Sequence, residues 1–251
     1  MTAALLEAHR AIRKYSTTWY VPVTTMPAGL NEALSSAYLL MRAIDEIEDH
    51  PELPPKEKDV LLCGISAVLQ ERCRPEDFKA VLADCSVELP EVTLRIGEWA
   101  ELAPPQIAPR IRETFATMAE RMGGWALHGW RIHTERDLDR YTYAVAGTLV
   151  LLLSDLWSWY DGTRSDRTLG VGYGRALQAV NIYQDKGEDL GRGVDFWPDG
   201  WDAARLRGYA MRELARADRY VAQLPAHGPA FRFCSRPLAA AWRAVGGGPG
   251  P

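Results

Sequence analysis

Apolar residues along this chain recur every three or four positions, the spacing of one face of a helix. Leu30, Leu34, Tyr38, Met41 and Ile44 trace one such stripe, with polar Asn31 and Glu32 near its start. Pro54-Pro55 opens a further helix running towards Arg74, and Pro75 opens another. Pro104-Pro105 and Pro109 precede a stripe of Ile111, Phe115, Met118 and Met122, which Gly123-Gly124 weakens locally. Residues 137–160 read as one long apolar helix containing Gly147, and 169–188 as a second that ends in Gly191-Arg192-Gly193. Helices at 201–224 and 229–245 complete the pattern, and the tail 246–251 reads as disordered. There is no strand–helix alternation, no glycine-rich phosphate loop and no internal repeat. The expected fold is all-α, one helical domain over residues 1–251.

Composition narrows the function. The chain has 251 residues, 47% of them hydrophobic, enough for one substantial core. Its net charge is −4 and no Lys/Arg block is long enough to track a phosphate backbone, which argues against nucleic acid as a partner. Cys63, Cys73, Cys85 and Cys234 form no C-x-x-C pair, as in a reduced cytoplasmic chain with structural thiols. The N-terminus lacks a signal-peptide pattern, and the longest apolar run, 145–153, is too short to cross a bilayer. A cytoplasmic protein without stable membrane insertion is expected; the pattern leaves its oligomeric state open. Nine tryptophans and ten tyrosines supply more aromatic surface than packing alone needs, so some are expected to wall a pocket for a hydrophobic or cationic guest.

Two acidic clusters carry the candidate chemistry. In the first, Arg42, Asp45 and Asp49 share a helix face at steps of three and four. In the second, Gln178, Asn181, Asp185 and Asp189 step by three, four and four along one polar stripe. Each cluster has the form D-x-x-E-D. Like charges one turn apart disfavour a helix, and a divalent cation offsets that directly. Mg²⁺ takes oxygen ligands, few of them carboxylates, and completes its shell with water and substrate phosphates. Two such helices face to face would cage a metal-bridged diphosphate. His128 and His133 lack a carboxylate at fixed spacing and read as ordinary histidines.

At this point the chain resembles the squalene/phytoene synthase family, from about Tyr15 to Val245. LMRAIDEIED (40–49) is similar to the family's first aspartate-rich motif, YTYAVAGT (141–148) to its Y-x-x-x-V-A-G segment, and LQAVNIYQDKGED (177–189) to its second. VDFWP (194–198) and FRFCSRP (231–237) resemble squalene synthases in particular. The resemblance implies an all-α isoprenoid synthase fold with a central cavity and Mg²⁺-assisted ionisation of an allylic diphosphate. It implies metal binding by Asp45, Asp49, Asn181, Asp185 and Asp189. Catalysis is expected from the four aspartates with Tyr141. Arg42, Gln178, Asn181, Tyr143, Ser16, Trp19 and Tyr38 are the expected substrate contacts.

Three departures shape the expected reaction. Family members that join two diphosphates usually carry S-R-S-F or S-K-S-F near the N-terminus, where this chain has Ser16-Thr17-Thr18-Trp19. The second motif usually reads N-I-x-R-D, and Gln184 stands in place of that arginine. A basic segment associated with NADPH use is not seen after Val245. With two cationic positions missing, a single diphosphate is expected. The leading expectation is therefore transfer of a short, dimethylallyl-type prenyl group to a small aromatic acceptor such as a carbazole, without NADPH. This is the chemistry of a bacterial squalene synthase-like branch in secondary metabolism. Head-to-head condensation of two prenyl diphosphates, terpene cyclisation, and metal-dependent binding without turnover are the alternatives.

Overall fold

Helix starts follow local chemistry. Thr2, Thr134, Asp166 and Asp202 each accept a backbone N–H from the residue three positions on, at Leu5, Asp137, Leu169 and Arg205. Proline occupies the first turn of four other helices, where no backbone donor is needed. The computed structural model describes residues 2–16, 18–71 and 73–246; among them the structure is all-α, with no strand. The first compact unit, Met1–Gly129, holds α1 (Ala3–Tyr15), α2 (Tyr20–Thr24), α3 (Leu30–Glu48), α4 (Pro55–Gln70), α5 (Pro75–Leu82), α6 (Glu91–Leu94), α7 (Ile96–Glu101) and α8 (Ala108–Leu127). The second, Trp130–Pro251, holds α9 (Glu135–Thr142), a π turn (Tyr143–Gly147), α10 (Thr148–Asp161), α11 (Arg167–Gln184), α12 (Lys186–Gly191), α13 (Ala203–Ala222) and α14 (Pro229–Ala244). Thr17 and the tail residues 247–251, whose expected roles are given above, lie outside the described residues.

In the first unit α3 is the central element, touching α1, α2, α4, α6, α7 and α8. Its apolar residues bury on nearly every side, from Leu30 through Leu39 and Leu40 to Ile47, as suits a helix with neighbours all round. α4 packs on α8. Gly123 does not interrupt α8: a Cβ there would stand 3.2 Å from the Asp59 Cα, so the glycine lets two backbones approach. α4 also secures the end of α3. Buried Lys58 donates from Nζ to the backbone oxygen of Glu48, placing a cation on the carbonyls that α3 leaves unpaired. Lys58→Met is expected to lower unfolding free energy by about 1–3 kcal/mol, the range for a hydrogen bond to a charged group. Urea denaturation with an unchanged m-value checks it, and a parental midpoint would refute it.

In the second unit α11 is the axis, packed against α10, α13, α14 and the π turn. Buried Tyr173 on α11 donates its hydroxyl to the Cys234 backbone oxygen at 2.9 Å, and Trp157 meets Phe233 edge-on at 5.4 Å. Residues 137–160 are not the single helix expected. The segment widens into the π turn, and Thr148 bonds the Ala144 carbonyl at 3.0 Å through its hydroxyl. The widening brings the chain at Ala146 and Gly147 against Gly174 of α11, so close that a Cβ on Gly174 would lie 2.5 Å from the Ala146 oxygen. The stripe from Gln178 to Asp189 also spans two helices rather than one. The chain bends at Asp185 (φ −95°, ψ 10°), next to Gly187, although the Asp189 N–H still reaches the Asp185 carbonyl at 2.9 Å.

Candidate active site

Each acidic cluster lies at the C-terminal end of a long helix. Asp45 and Asp49 close α3, with Asp49 as its cap, and Asp185 caps α11. A helix C-terminus is the negative end of the macrodipole and favours cations, yet neither helix has a basic residue in its last turn. Asp45, Asp49 and Asp185 are therefore placed where the backbone already repels them, while Asp189 lies in the first turn of the short α12. Such a conflict between local electrostatics and sequence is expected at a functional site rather than on a solvated face.

On the first unit, burial and then the neighbouring charge of Asp49 raise the Asp45 carboxyl from its ordinary 3.8 to about 7; Arg42 opposes the shift. Arg42 is clamped on Glu46, with Nε at 2.8 Å and a terminal nitrogen at 2.5 Å, and lies 5.9 Å above the Tyr15 ring. One turn back, buried Tyr38 has its hydroxyl raised, mainly by burial, while a hydrogen bond with Ser16 opposes the rise. Ser16 also accepts the Trp19 N–H at 2.9 Å. Ser16, Tyr38, Arg42, Asp45 and Asp49 are thus one connected group, and Trp19 joins it through the backbone.

On the second unit, burial raises the Asp185 carboxyl, Asp189 and Glu188 add to the rise, and Arg192 opposes it. Asp189 is buried and paired with Arg192 at 2.5 Å. Lys186 bonds Asp195 at 2.5 Å and lies 4.4 Å over the Trp197 ring. The Trp197 indole donates to the Ile182 carbonyl at 3.2 Å, so this loop is folded back on the end of α11. Phe196 from the same loop stacks on Tyr141 at 4.7 Å, and Tyr141 is buried. Gln178 is half-buried and Asn181 exposed on α11, two turns and one turn before its acidic end respectively. Tyr143 is elsewhere: it lines a cavity beside the N-terminal half of α11.

Among the described residues no three His, Cys, Asp or Glu side chains stand close enough to hold a metal by themselves. Each aspartate pair offers two carboxylates and no closed cage, which fits a hard cation that keeps water and substrate oxygens in its shell. Sequence reasoning misses Lys58 and Tyr15. Neither carries a signal, since a lysine in the first turn of α4 looks like any solvated charge. His133 faces an exposed carboxylate, Asp199, at 3.0 Å and belongs to neither group.

A family model described as Squalene/phytoene synthase matches residues 12–244. Among curated proteins the chain is similar to squalene synthases. It is 26% identical over 241 residues to that of Eremothecium gossypii, covering 87% of this chain and 52% of the relative. It is 27% identical over 197 residues to that of Solanum lycopersicum (74% and 45%) and 25% over 205 residues to that of Homo sapiens (79% and 47%). The chain thus spans about half the length of these relatives. Among solved structures, a ligand complex of TcSQS superposes with a TM-score of 0.79 at 19% identity, covering 97% of this chain and 78% of that one. A dehydrosqualene synthase gives 0.60 at 16% identity, covering 96% and 83%. Divalent-metal use is general in this family. These findings correct the expectation of prenyl transfer to an aromatic or carbazole acceptor, and with it the single short-chain diphosphate. The relatives point instead to two prenyl diphosphates. The inference from Thr17 and Gln184 fails because missing motif cations do not count the cations present. Arg42 acts on Asp45 and Arg192 pairs with Asp189 in the folded chain. Among the described residues no helix is long and apolar enough to cross a membrane.

Proposed function

The chain belongs to the squalene/phytoene synthase family, and we propose that it condenses two allylic prenyl diphosphates head to head in a Mg²⁺-dependent reaction. The observation that carries the reading is the pair of acidic helix ends: Asp45 and Asp49 close α3 and Asp185 caps α11, where neither helix has a basic residue in its last turn, and Asp189 follows one turn on in α12. The reading has Asp45, Asp49, Asp185, Asp189 and Asn181 as the metal ligands. When bound, Mg²⁺ supplies Lewis-acid stabilisation of the charge that develops on the departing diphosphate.

The chain's own groups do the rest. Arg42, Gln178 and Asn181 orient the diphosphate, and Arg42 can exchange Glu46 for phosphate oxygens, which its planar fork matches. Arg192 would be free to do the same with Asp189 holding the metal. Loss of diphosphate leaves an allylic cation, and the double bond of the second substrate attacks it. Proton loss to the released diphosphate then closes a cyclopropane. Tyr38 keeps its proton because burial raises it, so it donates a hydrogen bond rather than acting as a base. Trp19 and Ser16 wall the apolar chain on that side. Tyr141, locked on Phe196, holds the loop after the second motif in place.

Incubation with Mg²⁺ and farnesyl diphosphate tests this, followed by mass spectrometry of the lipid extract. A C30 hydrocarbon or a C30 cyclopropylcarbinyl diphosphate is expected, with two substrates consumed per product. A product bearing one prenyl unit, or none at all from protein that binds Mg²⁺, would sink the reading.

A further inference from the structure

Four arginines, Arg167, Arg175, Arg216 and Arg219, line a cavity of about 470 Å³ beside the N-terminal half of α11. Its volume lies in the range of small-molecule sites. Leu151 and Val171, with Tyr143, give it an apolar wall, and no carboxylate is among its lining residues. The acids that balance three of these arginines stand outside the lining: Asp155 pairs with Arg167, Asp139 lies 3.7 Å from Arg175, and Glu213 lies 2.6 Å from Arg216. Arg219 makes no ion pair among the described residues. The Nε of Arg175 is buried with no hydrogen-bond partner, an unmet donor in the cavity wall. Gly172 is part of the construction: a Cβ there would meet the Arg216 Cβ at 2.8 Å, so the glycine lets Arg216 lie across α11.

Arg219 and the buried Nε of Arg175 are left for a guest, and an anion that accepts from both satisfies them. Guanidinium forks match phosphate oxygens in pairs. The apolar wall adds room for hydrocarbon beside the charged part. We propose that this cavity binds an organic phosphate, a phosphate or diphosphate monoester carrying an apolar group, at a site separate from the aspartates. From Arg175 to Gln184 the helix rises about 13 Å, which sets the separation along α11. This site stands whether or not the head-to-head reading does.

Calorimetric titration of the full chain in EDTA, where metal-dependent diphosphate binding is silent, tests it with four probes. These are geranyl monophosphate, inorganic pyrophosphate, geraniol, and vesicles of phosphatidic acid set against phosphatidylcholine. Geranyl monophosphate is expected to bind saturably, one per chain, more tightly than pyrophosphate and more weakly as salt rises, and geraniol not to bind. Arg167→Gln with Arg219→Gln, both exposed positions, should weaken binding by about tenfold or more. Asp45→Asn should leave it unchanged. Preferential binding to phosphatidic acid vesicles, lost in the arginine variant, would identify a lipid headgroup as the source of the same phosphate chemistry. The proposal is overturned if no phosphate probe binds saturably. It is equally overturned if the arginine variant, folded by circular dichroism, binds as the parent does, or if Asp45→Asn abolishes binding.

Discussion

Asp45→Asn is expected to lose about a thousandfold or more in kcat, roughly 4 kcal/mol of transition-state stabilisation, and yet to melt higher than the parent in EDTA. The two effects share one cause. The Asp45 carboxyl is raised to about 7, first by burial and then by Asp49. A carboxyl held above its unfolded value binds its proton more tightly in the native chain. The metal-free protein therefore loses stability as pH rises from the ordinary 3.8 through about 7. A shift of about three units caps that loss at about 4 kcal/mol. Asp45 keeps some exposure, so solvent screening leaves about 1–2 kcal/mol. Asparagine has nearly the same shape and no charge, so at pH 8 it should recover that amount, a rise of about 3–6 °C in Tm. Adding Mg²⁺ should stabilise the parent and close the gap. Near-parental turnover at saturating Mg²⁺ would remove Asp45 from the metal site. A lower Tm in EDTA would show that the carboxylate is structural.

Gly174→Ala should be the most damaging small substitution in the second unit. The added methyl would sit 2.5 Å from the Ala146 oxygen and 2.9 Å from the Gly147 Cα. Backbone cannot swing aside as a long side chain can. α11 and the π turn must therefore separate, at a cost of about 2–4 kcal/mol. α11 carries Gln178, Asn181 and Asp185 towards its far end, so a shift at Gly174 tilts them together. The expected result is a Tm lower by about 4–12 °C, with kcat reduced by about tenfold or more in the fraction that stays folded. Gly187→Ala is the control, because a Cβ there meets nothing within 4 Å. Equal stability for the two variants would refute the close-packing account.

Much of the architecture is legible in the chain's local patterns. Helical spacing from Leu30 to Ile44 and the prolines at 55, 75, 109 and 229 all act over one or two turns. The elements they specify form within a few residues of the expected bounds. The acidic pairs are legible for the same reason, since i to i+4 spacing survives whatever packs around the helix. Two helix readings fail where a neighbour intervenes. The segment 137–160 opens into a π turn that lies against α11 at Gly174, and Gly123 serves contact with α4 rather than a weak point in α8.

Charge is the least legible quantity. Motif positions 17 and 184 lack cations, and counting there leads to a single diphosphate and an aromatic acceptor. Folding places charge by proximity in space. Arg42 comes to Glu46 and Tyr15, Arg192 to Asp189, and Lys186 to Asp195 and Trp197. Four arginines scattered between positions 167 and 219 gather on one cavity, although no motif joins them. Local spacing thus decided the all-α class, the helix starts and the aspartate pairs, because those depend on neighbours along the chain. Which arginines gather on the cavity beside α11, how far burial lifts Asp45, and where glycine is required depend on residues remote in sequence, and only their packing settles them.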